Sequence, residues 1–126
     1  MTKYEQIEQA IEGWCQENNL EYAAENITAD GSGLPARYLL YSIISDSDGD
    51  FYSNQRTRTT YRVQFDIVVP IENGGELDAL FEDFELTLIA ANFKPQGNYR
   101  WGNDATAMKA YIQKDYFMIV RRDQNG

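Results

Sequence analysis

The sequence predicts an α+β fold: a mixed, mostly antiparallel sheet of about four or five strands, with two amphipathic helices packed on one face. Three observations lead to this prediction. Large apolar residues occupy every odd position of residues 61–69, which is the period of a strand. Residues 2–17 and 77–88 instead repeat apolar residues at the spacing of a helix. The 126 residues, 43% of them apolar, suit one domain, residues 1–126, around a single core.

The first element is an N-terminal helix within residues 1–19. Thr2 and Glu5 have the spacing of a capping box, and Asn18-Asn19 marks the helix end. Apolar residues three or four positions apart form its inner stripe: Tyr4, Ile7, Ile11 and Trp14. Of these, Ile7, Ile11 and Trp14 are assigned to the core.

Residues 37–70 are predicted to form a pair of strands. Residues 20–29 before them are ambiguous and compatible with a short edge strand, and the turn residues Asp, Gly, Ser and Pro predict a loop over residues 30–35. Residues 37–44 are apolar on both faces, which indicates an interior strand covered on both sides.

The second strand of this pair has one apolar and one polar face. Its core positions are Tyr61, Val63, Phe65, Ile67 and Val69, and a register slip by one residue would turn all five into water. The polar face carries Arg62, Gln64 and Asp66, and the same line extends back through Arg58 and Arg56. Two interpretations remain open: a merely solvated face, or a subunit interface that meets acidic groups of a neighbouring copy.

The second helix is predicted within residues 75–92, after a loop at residues 73–75. Its apolar stripe, all assigned to the core, consists of Leu77, Leu80, Phe81, Phe84 and Leu88. Acidic residues cover the other side, and Asn92 and Pro95 end the helix.

Residues 93–121 are predicted to form two or three strands. A strand runs to Trp101 and a turn follows at residues 102–104. Residues 106–112 fit either a strand or a helix, and residues 113–115 fit a turn, a bulge or the middle of one long strand. Strands adjacent in sequence are expected to pair antiparallel through short turns.

Charge and residue types narrow the function. The formal net charge of −9 opposes binding to DNA phosphates, so a DNA-reading surface is not expected. The same charge suits a surface along which DNA slides, although an acidic balance often serves solubility alone. The sequence lacks an apolar run of roughly 20 residues and a signal-peptide core, which predicts a cytosolic protein without membrane contact.

No catalytic or cofactor site is predicted. The sequence has no histidine and a single cysteine, Cys15, so it has neither a Cys-His nucleophile pair nor an internal disulfide. Motifs for phosphate loops, dinucleotides and zinc are also missing. We therefore expect a protein that is not an enzyme.

One acidic segment invites comparison with an EF-hand. Asp46, Asp48 and Asp50 match positions 1, 3 and 5 of its calcium loop. Positions 6 and 12 require Gly and Glu, but this sequence has Phe51 and Thr57 there. We therefore expect no metal site, and a solvated acidic turn over residues 46–50.

Three stretches resemble a known family. They are Tyr38-Leu39-Leu40-Tyr41 with its acidic loop, the strand around residues 61–67, and the acidic helix followed by Tyr116-Phe117-Met118-Ile119-Val120. Together they resemble the tail terminator, or tail completion, proteins that join head and tail in long-tailed bacteriophages. The likeness covers roughly two thirds of the chain as a pattern of elements. Many of those proteins have Ala-Asp-Asn where this sequence has Tyr52-Ser53-Asn54.

The resemblance implies a structural protein of the virion, assembled in the host cytoplasm. It implies a homo-oligomeric ring, typically a hexamer, that caps the tail tube protein and meets the head connector protein while DNA passes through the lumen. Candidate subunit contacts are Arg56, Arg58, Arg62, Gln64 and Asp66, and candidate loop contacts are Asp48, Asp50, Phe51 and Tyr52. Two alternatives remain open: a head-closure or other connector protein, and a monomeric acidic module of regulatory or immunity type.

Overall fold

The chain forms one five-stranded sheet and two α-helices. The computed structural model describes residues 2–24, 36–48 and 58–121, with the backbone alone for residues 46–48, 58 and 121. The elements are α1 (Lys3–Glu17), β1 (Glu21–Ala24), β2 (Tyr38–Asp48), β3 (Arg58–Pro70), a 3-10 helix (Ile71–Glu76), α2 (Leu77–Ala90), β4 (Lys94–Asp104) and β5 (Lys109–Arg121). The predicted α+β class, with a mixed and mostly antiparallel sheet, is confirmed.

The strand order is β1-β2-β3-β5-β4. Pairing is antiparallel between β2 and β3, β3 and β5, and β4 and β5, but β1 pairs with β2 in parallel. The expectation that strands adjacent in sequence pair antiparallel is therefore wrong for β1 with β2, and β3 does not pair with β4. The connection through α2 leaves one strand position between β3 and β4, so these two strands run parallel. β5 occupies that position and is antiparallel to both.

One face of β3 forms the centre of the core. Val63, Phe65, Ile67 and Val69 are fully buried, while Tyr61 is only partly buried against the core. The Phe65 ring makes edge-to-face contacts with Phe84, Phe93 and Tyr116 at centroid distances of 5.3, 5.9 and 5.8 Å. Burying each large apolar side chain contributes about 1.5–3 kcal/mol. The predicted register of β3 is confirmed, because its odd positions all point to this side.

The first helix has the predicted capping box. The Thr2 amide donates to Glu5 Oε1 at 2.9 Å, and the Glu5 amide donates to Thr2 Oγ1 at 3.1 Å. Asn18 caps the C-terminal end, and Asn19 follows with a positive φ of 58°. Ile7, Ile11 and Trp14 are buried as predicted. The helix packs over the same face as β3's core positions, since Tyr41, opposite Phe65 on β2, donates to Glu8 of α1.

The second helix begins later than predicted. A 3-10 helix occupies Ile71–Glu76, where a loop was expected, and α2 itself runs from Leu77 to Ala90 with Ala91 as its C-cap. The residue after the cap is Asn92, which takes the left-handed φ of 70° that the predicted stop requires. The core positions Leu77, Phe81, Phe84 and Leu88 are buried, but Leu80 is only partly buried.

Two details of β2 differ from the sequence-based prediction. The register with β3 shifts between Ile43 and Ser45, so Ile44 lies in a bulge and is 46% exposed instead of joining a covered face. Residues 46–48 pair with β3 and extend the strand. The acidic turn expected over residues 46–50 is therefore wrong for its first half, and Gly49 and Asp50 lie outside the described residues.

The C-terminal strands are longer than predicted. The turn expected at residues 102–104 is wrong, because β4 continues to Asp104 and the turn covers residues 105–108. Residues 109–121 form one continuous strand, so residues 113–115 are the middle of one long strand, the third of the three alternatives, and the helical alternative for residues 106–112 is wrong. A side chain at position 102 would force the Tyr111 ring, which crosses β4, to move, because a Cβ there would lie 2.4 Å from it.

Candidate functional site

The face of the sheet opposite the helices is the candidate interaction surface, called the open face below. It carries the even positions of β3, including Arg62, Gln64 and Asp66, together with their cross-strand neighbours on β2, β5 and β4. The cross-strand partners of Gln64 and Asp66 on β5 are Asp115 and Gln113. Directly opposed residues share a face, so a band of polar side chains runs across three strands.

A network of two arginines and one carboxylate lies at the centre of this band. Arg62 donates from Nε to Asp115 Oδ2 at 3.0 Å, and its Nη2 lies 2.8 Å from the same oxygen. Arg100 donates from Nη2 to Asp115 Oδ1 at 3.0 Å and from Nε to Gln113 Oε1 at 2.7 Å. Both oxygens of Asp115 are therefore engaged, and the network ties β3, β5 and β4 together.

The burial of these three groups is uneven. The Asp115 side chain is 4% exposed, whereas those of Arg62 and Arg100 are 39% and 49% exposed. A carboxylate without solvent contact needs charged or hydrogen-bonding partners. The two guanidinium groups supply them while presenting their outer surfaces to solvent. The centre of the open face is thus charged, hydrogen-bonded across three strands and accessible.

Apolar side chains flank the polar band at both ends. Tyr38, Val68 and Tyr111 are adjacent across β2, β3 and β5, with Lys109 Nζ 5.6 Å from the centre of the Tyr38 ring. Val68 is buried, and Tyr38 and Tyr111 are half-buried. Toward the other end, Phe117 lies opposite Arg62 and is half-buried. A mixed surface of this kind is typical of protein–protein contacts rather than of a ligand cleft.

The sequence-predicted interface residues are only partly described. Arg62, Gln64 and Asp66 lie together on the open face, and Arg62 is engaged by Asp115 of its own chain rather than free for a neighbour. Arg58 begins β3 opposite Arg121. Arg56 lies outside the described residues.

The candidate loop contacts fall almost entirely beyond the described part of the chain. Asp48 is the last residue of β2, where only its backbone is described. Asp50, Phe51 and Tyr52 lie outside the described residues.

Sequence reasoning missed Asp115, Gln113 and Arg100. The sequence left residues 113–115 open between a turn, a bulge and the middle of one long strand, so no face could be assigned to their side chains. The alternation of β5 was the available signal: Gln113, Asp115 and Phe117 point to the open face, and Lys114 and Tyr116 to the helices.

The helix side holds a second polar cluster with a structural role. Lys114 Nζ and the Tyr116 hydroxyl both donate to Glu85 Oε2, at 2.7 and 2.6 Å. Desolvation acts to raise the pKa of Glu85, but the hydrogen bonds from Lys114 and Tyr116 outweigh it and hold this pKa below its usual value. Burial, reinforced by the bond to Glu85, raises the pKa of Tyr116. The cluster fixes α2 on the sheet.

The single cysteine of the sequence lies in the core. The Cys15 thiol is 1% exposed, and burial raises its pKa to about 12, so the thiolate needed of a nucleophile is not formed near neutral pH. Within residues 2–24, 36–48 and 58–121 no group of His, Cys, Asp and Glu side chains is placed to hold a metal ion. None of the described helices is long and apolar enough to cross a membrane.

A scan against protein-family models gives no match, and a search among curated proteins gives none either. The functional argument therefore rests on the chain itself. Its chief feature is a sheet with helices on one face and a mixed polar and apolar surface on the other.

Proposed function

We propose that the protein is a structural subunit of a long-tailed bacteriophage tail. In this proposal it forms a hexameric ring that caps the tail tube protein and joins it to the head connector protein. The ring belongs to the virion and is assembled in the host cytoplasm. DNA passes through its lumen without sequence-specific contacts. The protein performs no catalysis in this role and needs no cofactor.

The open face is the observation that carries the proposal. A solvated sheet face needs only polar side chains, yet this face combines half-buried Tyr38, Tyr111 and Phe117 with a carboxylate clamped by two arginines. Aromatic residues and arginines are enriched where proteins meet. The tied strands also form a surface that is ordered before binding, which lowers the entropic cost of association.

The distribution of charge supports the same role. The helical segments, residues 3–17 and 71–90, contain ten acidic residues and one lysine, which together account for the formal net charge of −9. The rest of the chain is balanced. Copies that meet through the balanced sheet face bury no excess charge, whereas the acidic helical layer disfavours adhesion to passing DNA.

The oligomeric state tests this proposal. We expect light scattering to find, alone or with a tube protein, a ring of six 14.5 kDa chains, about 87 kDa in total. Gln64→Arg places a third cation beside Arg62 and Arg100 on the open face and is expected to shift the ring to monomer. Gln9→Arg, on the exposed side of α1, makes the same chemical change away from that face and is the matched control. Monomer under both conditions contradicts the ring.

The acidic helical layer favours a second candidate, a monomeric module that binds a basic partner. Its ten acidic residues would then form the binding surface, and binding would weaken as salt screens the charges. A monomer that binds a basic partner with strong salt dependence supports this candidate. Genes for tube, tape-measure and portal proteins beside the coding gene support the tail proposal instead. Binding to the portal side without tube capping identifies a head-closure protein.

A further inference from the structure

The last strand of the sheet, β4, has one long side without a neighbouring strand among the described residues. Its first half is protected against pairing with another chain. Lys94 and Pro95 begin the strand, and a bulge that contains Gly97, with a φ of 80°, interrupts its register with β5. Lysine, proline and bulges at a sheet edge all oppose the addition of a further strand. This protection ends at Arg100, where the regular pairing resumes.

The second half of β4, residues 100–104, lacks this protection. It pairs with β5 in unbroken register and contains neither proline nor bulge. Its two charged side chains are held within the chain. Arg100 donates from Nη2 to Asp115 Oδ1 at 3.0 Å, and Asp104 Oδ1 accepts from a backbone amide of the next turn at 3.1 Å. Because neither charge is free to shield the edge, this half of β4 can pair with an extended segment through the backbone.

Aromatic surface lies beside this half of the edge on both faces of the sheet. On the helix side, Trp101 is 58% exposed, and its Nε1 donates to Asp78 Oδ1 at 2.6 Å. The hydrogen bond holds the indole in place before anything binds, and the centre of the ring lies 5.7 Å from that of Tyr99. On the open face, the Tyr111 ring crosses β4 at Gly102. Successive side chains of an added strand would meet these two surfaces in turn.

Two carboxylates of α2 determine the charge on the helix side of this edge. Asp78 contacts the Trp101 indole directly. Burial raises the pKa of Tyr99, and nearby carboxylates, Glu82 and Asp78 among them, add to this rise, so both lie close to the β4 side chains. In the described part of the chain, neither of the two forms an ion pair. A cationic side chain on an added strand would be attracted by both carboxylates and by the face of the indole.

A second copy of the chain fits this edge poorly. One described edge of the sheet consists of β1 and the end of β2, which contain no basic residue. The other is β4 itself, in which Arg100 is engaged by Asp115, and Lys94 precedes Pro95, which has no backbone N–H to donate. The described strands therefore supply no extended segment with an available cation. The occupant that fits is a segment of another protein in which basic and apolar residues alternate.

We propose that residues 100–104 of β4 bind an extended basic segment of a partner protein by strand addition. The segment pairs with β4 through its backbone. A lysine or arginine of the segment lies on the Trp101 ring near Asp78 and Glu82, and the next side chain, which is apolar, meets the Tyr111 ring on the open face. The contact uses the edge of the sheet and leaves the polar band of the open face uncovered. It goes beyond the proposed ring and does not rest on it.

A peptide of alternating lysine and valine tests this binding with the full chain as receptor. Trp14 is buried and Trp101 exposed, so a change in tryptophan fluorescence on titration reports on Trp101. Calorimetry is expected to show binding about tenfold weaker or more for Trp101→Ala, the loss typical of an anchor residue. Asp78→Asn combined with Glu82→Gln is expected to weaken binding by about tenfold as well, because both charges near the cation are removed. Absence of binding to the unmodified chain overturns the inference.

Matched controls separate this site from general attraction between a cationic peptide and an acidic chain. Glu12→Gln combined with Glu17→Gln removes two exposed charges from α1 and is expected to change affinity by less than about twofold. Leu86→Ala, at another exposed apolar residue of α2, is expected to have as little effect. Equal losses for the two double variants would mean that net charge alone attracts the peptide, which overturns the inference.

N-methylation of the peptide tests strand addition itself. Only every second amide of an added strand faces β4, so methylation of one alternate set is expected to weaken binding by about tenfold or more and methylation of the other set to leave it unchanged. Equal effects of the two sets overturn the inference. A ring that forms with tube protein but does not bind the peptide overturns the inference and leaves the proposed function standing. A chain that binds the peptide at β4 but stays monomeric with tube protein has the opposite meaning.

Discussion

Asp115→Asn tests the central network of the open face. The substitution keeps the size and position of the side chain but removes the charge that Arg62 and Arg100 contact at 2.8–3.0 Å. A hydrogen bond to a charged group contributes about 1.5–3 kcal/mol when buried. Both arginines are more than one third exposed, and exposed ion pairs contribute only about 0–1 kcal/mol. We expect the free energy of unfolding to fall by about 1–2 kcal/mol.

Urea unfolding followed by circular dichroism measures this loss. A fall of 1–2 kcal/mol corresponds to a decrease in Tm of about 3–10 °C for a chain of this size. Glu72→Gln removes an exposed charge of the same sign and is the control, with an expected change within about 0.5 kcal/mol. A double-mutant cycle with Arg100→Met is expected to give a coupling of at least about 0.5 kcal/mol that weakens in 1 M salt. No coupling, or a loss for Asp115→Asn no larger than for Glu72→Gln, refutes the reasoning.

Three further measurements address the helix side and the core. The pKa of Glu85 is lowered in the fold, so its stabilising effect is present above the unfolded value of 4.5 and lost as pH falls through the lower folded value. Lys114→Met is therefore expected to lower the urea concentration at the midpoint of unfolding at pH 7. Between pH 6 and pH 3 this midpoint is expected to fall less steeply in the variant than in the unmodified protein, and an unchanged slope contradicts this. Cys15 is expected to react with a thiol reagent only as fast as the protein unfolds, because its burial and its pKa of about 12 suppress the thiolate. Rapid labelling of the native protein would contradict the burial of this thiol. Phe65→Ala is expected to lower the free energy of unfolding by about 3–5 kcal/mol in the same urea assay. The exposed Leu86→Ala is expected to lower it by less than about 0.5 kcal/mol. Equal losses would contradict the packing around Phe65.

The parts of the fold that depend on local pattern were predictable. The alternation around Phe65 identified β3 and its buried face, and the spacing of Ile7, Ile11 and Trp14 identified α1 with its cap. In each case the periodicity of one segment determines which side is buried. The core residues assigned from these patterns are buried, apart from the partly exposed Tyr61 and Leu80.

The parts that depend on distant partners were not predictable. Lys114 and Asp115 have the residue types of a turn, and only their distant partners explain their place in a strand. Glu85, 29 positions away, contacts Lys114 on the helix side, and Arg62, 53 positions away, contacts Asp115 on the open face. The parallel pairing of β1 likewise depends on where residues 38–41 lie rather than on its own four residues. For the same reason the candidate interface residues were taken from β3 alone, without the residues of β4 and β5 that share the open face with them.

The central position of β3 has a mechanical consequence. It is hydrogen-bonded to β2 on one side and, over thirteen paired positions from Arg58 to Pro70, to β5 on the other. A force directed along the strands must break many of these bonds together, whereas a force applied across the short β1 edge peels off four pairs one after another. Resistance to pulling should therefore be strongly anisotropic, with slow forced unfolding along β3 and fast detachment of β1. Load transmitted through the molecule would pass along this single strand.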